Sequence, residues 1–118
     1  MNTIIRHVRL PSGLTIECAE QGRRGGPAVL MLHGITDTWR SFEPVLPWLA
    51  PDWHVVSMTQ RGHGGSSAAS SLRTRDFAAD AADLITTLGL PKVLVVGHSM
   101  GAVNALRMAI DQPSLVRG

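Results

Sequence analysis

Tyrosine is absent from this 118-residue sequence, phenylalanine occurs twice and cysteine once. With so few aromatic rings, aliphatic side chains must build the core. A single cysteine excludes a disulfide within the chain, and Cys18, in the alternating segment from Leu14 to Glu20, reads as a buried or half-buried strand residue rather than a reactive thiol. No apolar run approaches the roughly 20 residues needed to cross a bilayer, so no membrane partner is expected. The opening MNTIIRHVRL interleaves charges with apolar residues, unlike a secretory signal, and a cytoplasmic location is expected by default. Concentrated charge is lacking too. The formal net charge is +2, and Arg23-Arg24 is the only adjacent basic pair in the first half, so no basic stripe can follow a phosphate backbone and nucleic acid is not an expected partner.

What is present describes one folded domain: 44% of residues are apolar and 17% charged, and a chain of this size buries roughly two thirds of the surface its unfolded form exposes. Two alternating segments, Thr3 to Leu10 and Leu14 to Glu20, flank Pro11-Ser12-Gly13 and predict a β-hairpin that forms an antiparallel edge. Three short apolar runs follow, Ala28 to Leu32, His54 to Met58 and Val93 to Val96. Such runs fit strands covered on both faces, and their wide separation implies parallel strands joined by crossovers. Phe77, Ala81, Leu84, Ile85 and Leu88 share one face of a helix over 74–88, which Thr74 would cap and Gly89 with Pro91 would end. Between Trp39 and Leu49 the spacing is helical but Pro44 and Pro47 allow only short or irregular turns. A third helix is expected from Met100 to Ile110. Trp39, Trp48 and Trp53, near that first irregular helix, read as core or interface residues rather than as a binding surface.

Chemistry enters at Gly97-His98-Ser99-Met100-Gly101. This Gly-x-Ser-x-Gly pattern directly follows a strand and opens a helix, the context in which a serine sits on a sharp, strained turn with its hydroxyl pushed out above the sheet. Glycines are needed on both sides because a side chain there would strike the neighbouring backbone. Amides at the helix start point toward the same place, so an oxyanion formed on an attacked carbonyl meets donors and the positive end of a helix dipole.

Taken with Leu32-His33-Gly34 after the first apolar strand and the segment Gln60 to Ser66 after the second, the elbow resembles the α/β-hydrolase superfamily over nearly the whole chain. The resemblance implies an N-terminal half of that fold, a mostly parallel sheet with an antiparallel hairpin and flanking helices. It implies Ser99 as catalytic nucleophile, the amides of Ile35 and Met100 as oxyanion donors, and Gly34, Gly97, His98 and Gly101 as residues that shape the turn. His33 has two roles to choose between. The resemblance implies an inward imidazole that supports the oxyanion loop; rotated outward, on a strand adjacent to that of Ser99, it would instead be the catalytic base. His63 is implied to be structural, and Thr59 replaces an aspartate common in the family, so hydrogen bonding near the Arg61 turn must differ. His7 and His54, at strand starts, are expected at the surface or edge.

The family keeps its acid and histidine after the serine. Here no histidine follows Ser99, and Asp111, the one later carboxylate, lies roughly 18 Å along the same helix. Three arrangements are compatible with this: a truncated domain over 1–118, a half completed by another polypeptide, or a minimal hydrolase using His33. The expected activity is hydrolysis of small carboxylic esters through an acyl-enzyme on Ser99, without metal or organic cofactor. Lactonase or haloperoxidase-like activity, or a non-catalytic oligomerising scaffold, are the alternatives, while epoxide hydrolases and dehalogenases of this family use an aspartate where Ser99 stands. With no further strand, the segment Val93 to Val96 is expected to be a bare apolar edge that joins a homodimer or higher oligomer.

Overall fold

The computed structural model describes residues 3–118. Strands β1 (Ile4–Arg9) and β2 (Thr15–Gln21) form the expected hairpin, with Ile4 opposite Glu20 and Arg9 opposite Thr15. β3 (Ala28–Leu32), β4 (His54–Met58) and β5 (Val93–Gly97) are parallel, and the sheet order is β1-β2-β4-β3-β5, with β2 antiparallel to β4. The β3 strand thus lies directly beside β5, and Leu32 is in register with Gly97. Their C-terminal ends bring the His33-Gly34 loop next to the serine turn.

Period-two alternation gives the sheet two apolar faces. Leu30, Leu32, Val56 and Met58 face helices α1 (Thr74–Thr87) and α2 (Met100–Asp111), and pack against Ala81, Leu84, Ile85 and Met108. Val29, Met31 and Val55 face the other way, onto Trp39 and Leu46. That second face is covered by two short 3₁₀ turns, Trp39–Phe42 and Leu46–Trp48, the form left to a segment in which Pro44 and Pro47 remove amide donors. Of the three tryptophans, Trp39 is core, whereas Trp48 is 87% exposed. Cys18 is buried, and burial pushes its thiol up to about 12.

Several expectations are corrected. Helix α1 is capped one residue earlier than Thr74: the Asp76 carboxylate accepts the Arg73 amide at 3.1 Å and the Ser71 hydroxyl. Gly89 does end it, at φ +66, with the Leu90 amide reaching back to the Ile85 carbonyl. His54 is not at the surface but buried, its Nε2 donating to Glu20 at 2.5 Å. Nor is the outer edge of β5 bare, because the Arg117 amide donates to Val93 and the Val95 amide to Gly118.

Arg61 ties the loop after β4 to α1, giving two bonds of 2.6 and 2.7 Å to Asp80 and a third to the Ser71 carbonyl. Asp80 is almost fully buried. Removing one partner of a buried pair strands the other charge, at a cost of roughly 3–5 kcal/mol. Asp80→Ala is therefore expected to lower unfolding free energy by about that amount in urea titration, and a loss below 1 kcal/mol would show that Arg61 finds solvent instead.

Candidate active site

Ser99 is exposed and has φ +54 and ψ −118, a conformation that side chains rarely adopt. It is held there from both sides. The His98 amide donates to the Leu32 carbonyl at 3.0 Å, and the Ser99 carbonyl accepts from Ala102 at 2.9 Å as the first turn of α2 forms. The flanking glycines are steric necessities: a Cβ on Gly97 would lie 2.6 Å from the Ala102 Cα, and one on Gly101 would strike the Leu32 carbonyl. Gly34 packs beside the serine less tightly, the point its Cβ would occupy falling 3.4 Å from the Ser99 Cβ and 3.3 Å from the His98 Nδ1.

Opposite the elbow, residues Gly34 to Asp37 form a turn closed by the Asp37 amide on the Gly34 carbonyl at 3.2 Å. Its third residue, Thr36, has φ +67, as a type II turn requires, although a β-branched residue resists it. Among the described residues, the Ile35 and Met100 amides donate to no protein acceptor. For Met100, first in α2, this follows from the helix having no carbonyl a turn earlier to receive it. Both amides are thus available to an outside oxygen.

His33 decides between its two roles by its hydrogen bonds. It is fully buried, its Nε2 accepts the Gln60 amide at 2.9 Å, and its Nδ1 donates to the Gly34 carbonyl at 2.7 Å. Both nitrogens are committed, so the expectation of His33 as catalytic base is corrected: this imidazole supports the loop and has no nitrogen left for the Ser99 proton. Burial holds its pKa below the ordinary histidine value, with the Gly34 bond opposing and His63 reinforcing that shift. The Gln60 side chain adds a bond from Nε2 to the His33 carbonyl at 2.8 Å and accepts Asn104 Nδ2 at 2.8 Å, joining the ends of β3 and β4 to α2. Asn104 escaped the reading of the sequence, yet it shares a helix face with Gly101 and Met108, a polar residue among residues that must be buried.

His63 packs edge-on against His33, with ring centroids 4.9 Å apart, and its Nδ1 bonds the Arg61 carbonyl. Thr59 accepts the Trp39 amide at 3.0 Å and donates to Glu17, so it tethers the segment after the Gly34 turn to the sheet. Asp111 pairs with Arg107 at the far end of α2, away from Ser99. Among the described residues no group of three histidine, cysteine or acidic side chains is placed to hold a metal ion.

The family model of the alpha/beta hydrolase fold matches residues 27–118. The chain belongs to the α/β-hydrolase family. It is 38% identical over 105 residues to 2-(acetamidomethylene)succinate hydrolase of Mesorhizobium japonicum, covering 88% of this chain and 37% of that protein. It is 37% identical over 109 residues to a fluoroacetate dehalogenase of a Burkholderia species, covering 87% of this chain and 35% of the relative. Among solved structures, epoxide hydrolase A from Mycobacterium thermoresistibile superposes with a TM-score of 0.89 at 31% identity, over 98% of this chain and 37% of that one. This α/β-hydrolase chain spans little more than a third of the length of these relatives.

The His33 contacts carry a pH prediction. A histidine whose folded pKa is depressed takes up its proton more readily when unfolded, so stability rises with pH up to the ordinary value near 6.5 and is lost on acidification below it. Urea titrations from pH 4 to 8 should show a shallower dependence in His33→Gln, which cannot titrate. At pH 7, His33→Ala should cost about 2–4 kcal/mol, from the cavity and two stranded buried groups. Equal pH slopes in wild type and His33→Gln would refute this account.

Proposed function

We propose that the chain carries the nucleophile and the oxyanion-binding elements of a serine hydrolase that cleaves esters of small carboxylic acids. The observation that supports this most directly is Ser99 itself, exposed at a strand-to-helix turn at φ +54, its Cβ 3.4 Å from the point a Gly34 Cβ would occupy. Strain of this kind, about 1–3 kcal/mol, is maintained where it positions a reacting group. The Ser99 oxygen bonds to the ester carbonyl carbon as its proton passes to a base, and the resulting oxyanion is received by the Ile35 and Met100 amides. Each such donor is typically worth about 3–4 kcal/mol to the transition state. The carbon-oxygen bond to the alcohol then breaks, the alcohol leaves with the proton, and water repeats the sequence on the acyl-enzyme.

Serine at this position favours acyl transfer over the epoxide and carbon-halogen chemistry named for some relatives. Attack on a saturated carbon would leave a serine ether with no carbonyl for water to attack, and the enzyme would stop after one event. With His33 committed to Gly34 and Gln60, that imidazole is not the proton acceptor.

The test is p-nitrophenyl acetate hydrolysis by this chain beside Ser99→Ala. The expected result is a burst of p-nitrophenolate with acetyl on the peptide containing Ser99, both lost in the variant, followed by slow turnover. The oxyanion site alone can sustain a rate about 10³-fold above water. Identical traces from the two proteins would mean that Ser99 is not a nucleophile.

A further inference from the structure

We propose that Asp37 gives this site a charge preference, so that its substrates are esters with neutral or cationic acyl groups and anionic acyl groups are disfavoured. The inference rests on the serine reading above and adds the substrate class. The point a Gly34 Cβ would occupy lies 3.6 Å from Asp37 Oδ2 and 3.4 Å from the Ser99 Cβ. The carboxylate is therefore within about 7 Å of the nucleophile side chain, inside the ~8–10 Å over which salt at physiological strength leaves charges in contact.

Asp37 is exposed, and among the described residues it makes no ion pair. Arg40, the arginine nearest in the chain, is engaged elsewhere and gives both oxygens of Glu43 a bond at 3.0 Å. Among the described residues no ion pair therefore neutralises the Asp37 charge. Its backbone is also fixed, since the Asp37 amide closes the Gly34 turn and Thr38 begins the next one by accepting the Arg40 amide. The Asp37 backbone is consequently held beside Ser99, and the carboxylate ranges only as far as its rotamers allow.

Coulomb's law across 7 Å, at an effective dielectric between that of a protein surface and that of water, gives about 3- to 50-fold discrimination per substrate charge. Asp37 also opposes the oxyanion, but it does so for every ester, and a ratio between substrates cancels that effect.

Acylation of Ser99 should be followed with p-nitrophenyl esters of one chain length: butyrate, hemisuccinate and 4-(trimethylammonio)butyrate. In the wild type the cationic ester should react fastest and the anionic one slowest. Asp37→Asn should raise the anionic-to-neutral ratio about 3- to 50-fold, and 1 M salt should raise that ratio in the wild type without any substitution. An unchanged ratio in Asp37→Asn that keeps its burst, or a salt-independent wild-type ratio, overturns the role of Asp37 and leaves the serine reading intact. Equal rates for wild type and Ser99→Ala with all three esters overturn both.

Discussion

The front of the sheet depends on one buried imidazole held in one tautomer. Because the Gln60 amide must donate to His33 Nε2, the proton sits on Nδ1, and the Gly34 carbonyl is placed to receive it. Gln60 then spends its side-chain amide on the His33 carbonyl and its oxygen on Asn104. These four hydrogen bonds join the segments after β3 and β4 to α2 in a region with almost no solvent. No buried side-chain nitrogen or oxygen among the described residues lacks a partner. Such a network is costly when one member is missing and specifies a single arrangement when all are present. The arrangement specified is the separation between the Gly34 turn and the serine elbow.

That separation is close, with a Gly34 Cβ falling at contact distance from Ser99 and His98, and it coincides with the backbone strain. Thr36 and Ser99 are the two non-glycine residues at positive φ among those described, one in each of the facing turns. Neither conformation is stable by itself. Each is over-determined by its surroundings: the Ser99 turn by bonds to Leu32 and Ala102, the Thr36 turn by Asp37 on Gly34 and by the His33 bond to the same carbonyl. The same two turns carry the Ile35 and Met100 amides, which among the described residues have no protein acceptor.

The sequence was legible where structure follows from local pattern. Strand alternation, the run from Phe77 to Leu88 and the Gly-x-Ser-x-Gly turn each depend on neighbours within a few residues. It was misleading where pairing is made across the fold. His54 reads as a strand-edge residue, but its partner Glu20 is 34 positions away and reaches it only after β2 pairs with β4. His33 was ambiguous for the same reason, since Gln60 lies 27 positions on. Helix α2 shows the limit of periodicity: its apolar stripe Val103, Leu106 and Ile110 is exposed, while Gly101, Asn104 and Met108 face the sheet.

The carboxylates separate structure from function on the same physical ground. Asp80 is buried against a bidentate arginine. At the opposite end of the parallel strands, Glu20 is buried with His54 and reached by Arg6 and Arg24. Burial there pushes the Glu20 carboxyl up, yet bonds from His54 and Arg6 outweigh it and hold the group below the usual carboxylate range. Each of these acids has its charge compensated within the protein, as a buried charge must. Among the described residues Asp37 has no such ion pair and, being exposed, does not require one for stability. A charge left open to water beside a strained nucleophile acts mainly on whatever displaces that water. The far end of the sheet therefore uses its ionic groups to hold β1, β2 and β4 together, and the near end leaves one free to act on an incoming substrate.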